Sequence, residues 1–300
     1  MADWDYAPTV LIFGDTEEGR AIAAASATDI GGRIAVSLPL DQALARIDSQ
    51  ISVNLVILDV TRDHGQLLDQ LFRRVEEGAA SCSFASVVVI APNLVDIATA
   101  RISHEAVDLL VGRDRELLCA ALTQGVKRTP TQLREPPENG EATRLHYLAE
   151  AMEQHGRALH AALDSESGAP SRTVPSEALG PVVADFEPTD AAAIRSIIRA
   201  RRLRAHFFGS GLFADPAWDI LLDLIAARLE GRSVAVSSLC IAAAVPATTA
   251  LRWIKQLTEA GFLRRVADPV DGRRIFIELT DGAARTMMTY FASVSRLGGV

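Results

Sequence analysis

The chain has few cysteines, no long hydrophobic run and no excess of positive charge. Its 300 residues include three cysteines, Cys82, Cys119 and Cys240, which lie far apart without paired spacing. They exclude a disulfide framework and predict buried, reduced thiols in a cytoplasmic protein. No segment is apolar enough over enough residues to span a membrane, and the acidic start Met-Ala-Asp-Trp-Asp has no signal-peptide pattern. We therefore expect no membrane partner.

Motifs for catalysis and cofactor binding are missing as well. The sequence has no nucleophile–base pair, no paired catalytic acids, no metal-ligand spacing and no G-x-G-x-x-G. The segment 14–19 has the glycine spacing of a P-loop, but Arg20 and Ala21 replace the required Lys-Ser/Thr pair. Its three acids would also repel phosphates. The sequence therefore predicts neither an enzyme nor a bound cofactor.

The charges are divided unevenly along the chain. The formal net charge of −8 by itself disfavours nucleic acid as a partner. However, residues 190–300 carry 15 Lys and Arg against 10 Asp and Glu, whereas the remainder carries 15 against 28. Affinity for DNA depends on local neutralisation of phosphates. The C-terminal part is therefore expected to bind DNA, and the acidic N-terminal part to stay away from the duplex.

Five apolar strands alternate with five helical segments in the first 128 residues. The predicted strands are 9–13, 33–38, 53–59, 86–91 and 107–111. Strict alternation of this kind implies a parallel sheet that helices cover on both faces. Units of this size predict a doubly wound, flavodoxin-like fold with strand order 2-1-3-4-5.

Acidic residues follow two of these strands. Asp59 ends the third strand in Ile-Leu-Asp-Val, and Asp15 follows the first, with Glu17 and Glu18 in the next turn. This region resembles the receiver domain of response regulators. The resemblance implies that Asp59 is a candidate phospho-acceptor and that Asp15 and Asp59 are the only candidate metal ligands. The alternative is that Asp59 simply caps a loop at the carboxyl edge of the sheet.

The receiver resemblance is incomplete in two places. The Ser/Thr that the family has after the fourth strand is missing from Val89-Ile-Ala-Pro92. The family's Lys after the fifth strand is replaced by Gly112, with Arg113 as a stand-in. A phosphoryl group would lose its fixed partners, so we expect a degenerate receiver used for association or for a signal other than phosphate.

The segment between residues 129 and 188 predicts a linker. Residues 129–139 are rich in Pro and Glu, and residues 164–188 are rich in Ser, Pro and Gly. Between them, apolar residues recur at steps of three or four over 141–163, which predicts a connector helix that pairs with its twin across a dimer axis. Three parts are therefore predicted: 1–128, 129–188 and 189–300.

The last part has the plan of a winged helix-turn-helix. A short apolar helix over 236–245, with Ser237 or Ser238 as its cap, precedes Pro246 and a second helix over 247–260 that ends at Gly261. Two strands, 262–266 and 274–279, flank the turn Asp-Pro-Val-Asp-Gly, and Thr280 then caps a final helix. This order predicts a recognition helix followed by a wing.

Polar and basic residues lie off the apolar face of the recognition helix and at the tip of the wing. They are of types that reach phosphates and base edges. The candidate DNA-binding residues are Thr248, Thr249, Arg252, Lys255, Gln256, Arg273 and Arg274. The alternative is an ordinary polar helix face. DNA contact requires that Arg252 and Lys255 are uncovered and that the wing arginines do not turn inward against acids.

Several motifs occur in order here: Arg252-Trp-Ile-Lys-Gln-Leu-Thr-Glu-Ala-Gly261, Asp271-Gly-Arg-Arg274 and Leu279-Thr-Asp-Gly282. They resemble the MarR-type winged-helix transcription regulators. The resemblance implies a homodimer on a pseudo-palindromic operator, with helix 247–260 in the major groove and wing 264–274 on the minor groove or phosphates. It also assigns the stripe Ile194, Ile197 and Ile198 to a dimer interface.

Two other functions stay open. The chain is a phosphorylation-dependent response regulator if Asp59 accepts a phosphoryl group. It is a signalling scaffold if the winged helix serves protein contacts. The sequence indicates no particular effector or partner protein.

Overall fold

A computed structural model describes residues 7–50, 53–104, 106–128, 190–208 and 213–296. Both described parts belong to one compact unit. The predicted linker and connector helix lie outside the described residues, so the three-part division stays a prediction. We call residues 7–128 the N-terminal lobe and residues 190–296 the C-terminal lobe.

Strands and helices alternate through the N-terminal lobe as predicted. The strands are β1 Thr9–Gly14, β2 Arg33–Leu38, β3 Leu55–Val60, β4 Ala85–Ile90 and β5 Val107–Val111. The helices are α1 Glu17–Asp29, α2 Ala43–Ser49, α3 Gln66–Ala80, α4 Val95–Arg101 and α5 Arg115–Arg128. The five strands are parallel in the order β2-β1-β3-β4-β5, which confirms the predicted fold.

The sheet has two apolar faces because its inner strands are buried along their whole length. Alternate residues of one strand point to opposite faces: Phe13 joins a cluster with α2, α3 and α4, and Ile12 joins another with α1 and α5. Every residue of β1, β3 and β4 is buried. Each large apolar side chain buried in this way contributes about 1.5–3 kcal/mol, which explains why these strands are nearly continuous apolar runs.

The C-terminal lobe is a small antiparallel sheet surrounded by helices. Its helices are α6 Ala191–Phe208, α7 Pro216–Leu229, α8 Val236–Ala242, α9 Ala247–Glu259 and α10 Asp281–Arg296. Its strands are β6 Val234–Ala235, β7 Leu263–Ala267 and β8 Ile275–Leu279, in the order β6-β8-β7. The helix α9 is the predicted recognition helix, and β7, β8 and their turn are the predicted wing.

Two of the predicted helix signals are confirmed and one is wrong. Gly261 has φ +76° and ends α9, while Thr280 accepts a hydrogen bond from the Ala283 amide at the start of α10. Neither Ser237 nor Ser238 caps α8, because the helix already begins at Val236. The Ser237 amide instead donates to Asp96 of the N-terminal lobe.

The apolar stripe of α6 is part of the internal core. Ile194 is fully buried, and Ile197 and Ile198 pack against the same cluster. The expectation that this stripe forms a dimer interface is therefore wrong, because α7 covers it within the chain. No single described helix is long and apolar enough to cross a membrane; the pair α8 and α9 passes on length and composition only when counted together across a 107° bend.

Candidate functional site

Aspartate side chains at the tip of the wing bond to backbone amides of the turn that carries its arginines. The side chain of Asp268 accepts hydrogen bonds from the amides of Val270 and Asp271, and the side chain of Asp271 accepts one from the Arg273 amide at 2.9 Å. Short acidic side chains stabilise turns in this way because they bond to backbone two or three residues ahead. The Asp-rich turn thus presents the neighbouring arginine side chains at one end of the sheet.

The wing arginine Arg273 binds acids of the N-terminal lobe. Its two terminal nitrogens donate to Asp63 at 2.7 and 2.8 Å, and its Nε donates to Asp69 at 3.2 Å. These hydrogen bonds lower the pKa of Asp63 below its ordinary value and raise the pKa of Arg273. The Arg273 guanidinium therefore binds two oxygens of one carboxylate, and phosphate can offer it two oxygens in the same geometry.

Asp96 of α4 binds Arg274 of the wing and Ser237 of α8, both in the C-terminal lobe. Arg274 Nη2 lies 3.5 Å from one Asp96 oxygen, and Ser237 donates to Asp96 from its amide at 2.8 Å and its hydroxyl at 2.7 Å. Both predicted wing contacts, Arg273 and Arg274, are therefore turned toward acids in this arrangement. The condition that the DNA interpretation sets for the wing arginines is not met in this state.

The start of the recognition helix also contacts the N-terminal lobe. Thr248 is buried, and its Oγ1 accepts a hydrogen bond from the Val111 amide at the end of β5, at 2.9 Å. On the wing, Arg265 donates to the Ser103 hydroxyl at 2.6 Å and to the Thr99 carbonyl. These contacts place one side of the wing and the first turn of α9 against α4 and β5.

The remaining candidates on α9 are less covered. Arg252 and Gln256 are exposed, whereas Thr249 and Lys255 are half-buried. Within the described ranges, the side chains of these four residues make no hydrogen bond or ion pair. Burial raises the pKa of Asp108 on β5, and the charges of Arg128, Lys255 and Arg252 oppose that shift. The basic side of α9 therefore faces an acid of β5.

The candidate phospho-acceptor is fully engaged. Asp59 is 3% exposed, and Arg113 donates to both of its carboxylate oxygens, at 3.0 and 2.6 Å. The first turn of α1 closes the other side, because a Cβ built on Gly19 would lie 2.1 Å from Asp59 Oδ1. Arg113 thus takes the place that the sequence analysis assigned to it as a stand-in for lysine.

The residues at this edge do not fit the magnesium ion that the receiver family implies. Asp15 Oδ2 accepts hydrogen bonds from the Thr61 amide and hydroxyl and from the Arg62 amide, and it lies 3.2 Å from His64. Burial raises the pKa of Asp15, but these bonds outweigh it and the pKa lies below its ordinary value. Donors occupy Asp15 Oδ2 and both Asp59 oxygens, leaving Asp15 Oδ1 buried and unpaired. No cluster of metal ligands exists among the residues that the structure describes.

Comparison with known families identifies the C-terminal lobe. Residues 219–283 match a winged helix DNA-binding domain. The match begins inside α7 and ends at the start of α10, so it contains the recognition helix, both long strands and the wing tip. We therefore call the C-terminal lobe the winged helix domain.

Solved structures show limited similarity. A probable transcriptional regulator from Pseudomonas aeruginosa is 25% identical, over 35% of this chain and 76% of its own, with a TM-score of 0.24. A mutant of MarR from E. coli is 17% identical, over 37% and 79%, with a TM-score of 0.25. A mutant of MepR from S. aureus is 17% identical, over 34% and 70%, with a TM-score of 0.24. A search of curated proteins found no match.

Sequence reasoning missed the partners of the wing. Asp63, Asp69 and Asp96 were counted only as part of the acidic half of the chain, and Arg265 was not among the candidates. No local pattern marks them, because Arg273 lies 210 residues from Asp63 and 204 from Asp69. The concentration of acids in residues 1–128 was the one available signal.

Proposed function

We propose that this chain is a DNA-binding transcription regulator. The observation that carries the proposal is the winged helix DNA-binding domain at residues 219–283. Its helix α9 has exposed basic and polar side chains on the side that does not pack against the domain. Apolar residues of α9, such as Ala250 and Ile254, are buried in the domain. The opposite side carries Arg252 and Gln256, which suit guanine and adenine edges in a major groove.

The wing supplies the second contact in this proposal. Arg273 and Arg274 would grip phosphates or enter the minor groove beside the helix, as arginines commonly do. The duplex and the acids Asp63 and Asp96 would compete for these same side chains. The proposal therefore requires a state in which the wing has left the N-terminal lobe.

A binding titration tests the DNA proposal. Fluorescence anisotropy with the upstream region of the protein's own operon, repeated at several salt concentrations, should show salt-dependent binding that exceeds binding to random duplex. Arg252→Ala should weaken operator binding by about 1–3 kcal/mol if the side chain reads a base. Arg285→Ala removes an exposed arginine from α10 instead and should leave affinity nearly unchanged.

The outcomes separate the candidate functions. Equal losses on operator and random DNA would mean that Arg252 touches only the backbone. No binding to any duplex, together with recovery of a protein partner that needs Arg252, would favour a signalling scaffold. Phosphorylation-dependent control is disfavoured, because Arg113 and the first turn of α1 already fill the surroundings of Asp59.

Exposed aromatic residues support a homodimer. Four apolar side chains near the end of α6 and at the start of the next described segment are 46–74% exposed: Leu203, Phe207, Phe208 and Phe213. The Phe208 and Phe213 rings meet edge to face at 5.8 Å. Apolar clusters of this kind on a surface mark interaction sites. We assign this patch to a second copy of the chain, which would give two recognition helices for a pseudo-palindromic operator.

Sedimentation measurements test the dimer. The double variant Phe207→Ser/Phe208→Ser should shift the chain to monomer and weaken operator binding, since a single recognition helix reads only a half-site. Leu117→Ser is the matched control, because Leu117 is 40% exposed on α5 of the N-terminal lobe and lies outside both the patch and the wing. A dimer that persists in the double variant would assign the interface to another part of the chain.

A further inference from the structure

Three acids of the N-terminal lobe form one strip under the winged helix domain. Asp63 follows β3, Asp69 lies on α3 and Asp96 lies on α4. We call them the acidic strip. They hold Arg273 and Arg274, the two wing arginines that the proposed function assigns to DNA. The strip therefore occupies the residues that would contact phosphates.

The strip presents oxygens to the wing as a phosphodiester would. Asp63 receives two parallel N–H bonds from one guanidinium, which is the arrangement in which arginine also binds phosphate. A guanidinium whose two terminal nitrogens donate hydrogen bonds to Asp63 cannot donate the same hydrogen bonds to DNA at the same time. Binding of the wing to the strip and binding to the duplex are thus mutually exclusive at Arg273.

The recognition helix is blocked at its first turn as well. Thr248 is buried against Val111 at the end of β5. A groove that received this end of α9 would have to displace β5. Two separate parts of the DNA-reading surface, the wing and the first turn of α9, therefore meet the same lobe.

The lobes share a buried apolar contact, but this contact covers only part of the surfaces that face each other. Buried residues of α4 and α8 join one continuous apolar cluster, which favours the closed arrangement. However, an open cleft of about 910 Å³ lies between the lobes, lined by Leu109 of β5 and by Leu251 and Lys255 of α9. The two lobes therefore do not pack against each other over the whole of their facing surfaces.

We propose that the N-terminal lobe is a built-in competitor of DNA, which masks the wing through the acidic strip and the first turn of α9 through β5. The proposal rests on the proposed function, because it assigns regulation to the same surface. Apparent affinity for operator equals the intrinsic affinity multiplied by the fraction of open molecules. Weakening the strip should therefore tighten DNA binding without any change in the residues that touch DNA.

Removal of charge from the acidic strip in the full chain tests whether the strip competes with DNA. Asp63→Asn/Asp69→Asn keeps the size of both side chains and should lower the Kd for operator about fivefold or more, because a larger fraction is open. Asp29→Asn/Asp48→Asn is the matched control: it also removes two acids, which pair with Arg115 and Arg74 of the same lobe on exposed surfaces. A similar gain in this control would reduce the effect to general repulsion of DNA and overturn the proposal.

A reversible crosslink tests the same point in the opposite direction. The Ser237 hydroxyl and an Asp96 carboxylate oxygen are 2.7 Å apart, so Asp96→Cys/Ser237→Cys places two thiols on facing positions of the lobes, and mass spectrometry checks that the disulfide forms. The expectation of buried thiols holds for Cys240 but is wrong for Cys82, which is exposed, and Cys119 is half-buried. Cys82→Ser and Cys119→Ser therefore remove the other accessible thiols. The oxidised protein should lose operator binding at least tenfold, and reduction should restore it. Equal binding by the oxidised and reduced forms would show that the closed state already binds DNA.

A readout without DNA separates failure of this inference from failure of the proposed function. Hydrogen exchange of the Val111 and Ser237 amides should be faster in Asp63→Asn/Asp69→Asn than in the wild type, because these amides donate across the contact and lose their partners when the lobes part. Faster exchange without binding to any duplex would reject the DNA function and keep the competing contact. Unchanged exchange would reject the competing contact itself.

Discussion

Arg113 and Arg273 each donate to both carboxylate oxygens of one aspartate, yet the two pairs lie in different surroundings. Arg113 and Asp59 meet inside the N-terminal lobe, where the Asp59 side chain is 4% exposed. Arg273 and Asp63 meet between the lobes, where the Asp63 side chain is 39% exposed. The two arginine side chains are similarly accessible, 22% for Arg113 and 28% for Arg273, so the pairs differ at the carboxylate. Water reaches the Asp63 carboxylate, and this pair can exchange its partner for solvent or for phosphate, whereas the Asp59 carboxylate is closed off.

The difference shows how one kind of contact can serve both the fold and a switch. Loss of either member of a buried pair leaves an uncompensated charge, so such a pair keeps its arrangement. An exposed pair is worth little by itself and is easily replaced. The surroundings of Asp59 are therefore held in one arrangement, whereas the contact that can be exchanged lies at the wing.

The largest effect is expected from breaking the buried pair. Arg113→Ala leaves the Asp59 carboxylate buried without its partner and should lower the free energy of unfolding by about 3–5 kcal/mol. Arg115→Ala is the matched control, since Arg115 pairs with Asp29 on an exposed surface and its loss should cost far less. Urea denaturation followed by circular dichroism measures both. Equal losses would show that burial does not distinguish the pairs.

Substitution of Arg273 should give a smaller and mixed effect. Arg273→Ala removes a phosphate contact and should lower the salt slope of DNA binding by about one. It also releases the wing from Asp63, so the net loss of affinity should be smaller than the loss in Arg252→Ala.

A double-mutant cycle isolates the two effects. In the Asp63→Asn/Asp69→Asn background, the strip no longer competes, and Arg273→Ala should show its full loss of affinity. The measurement is a salt titration of operator binding for all four proteins. Equal losses of affinity in both backgrounds would mean that Arg273 does not exchange between acid and phosphate.

The sequence predicted the architecture of each lobe for identifiable physical reasons. Strands such as Val87 to Ile90 are continuous apolar runs because helices cover both faces of a parallel sheet, so their order could be inferred. Gly261 and Thr280 end and begin helices through local backbone chemistry, which their neighbours in the sequence determine. Both lobes could therefore be assigned before any coordinates were known.

The contact between the lobes could not be predicted in the same way. Asp96 and Ser237 are 141 residues apart, and Ser237 was expected to cap its own helix. The acids of the strip are three among the 28 that precede residue 190, and no periodicity marks them. Pairs of residues so far apart in the sequence depend on how two folded lobes pack against each other. The periodicity and local motifs of the sequence do not contain that information.

The smallest expected effect is the titration of the exposed pair. Hydrogen bonds from Arg273 lower the pKa of Asp63 below its ordinary value of 3.8. The ionised carboxylate is the form that binds Arg273, so its contribution to the closed state is fully present above pH 3.8 and is lost as the pH falls through the lowered pKa. Carbon-detected NMR of the Asp63 carboxyl should give a lower pKa in the wild type than in Arg273→Ala, where it should return toward 3.8. If both proteins titrated at the same pH, the pair would not persist in solution, and Arg273 would already be available to DNA.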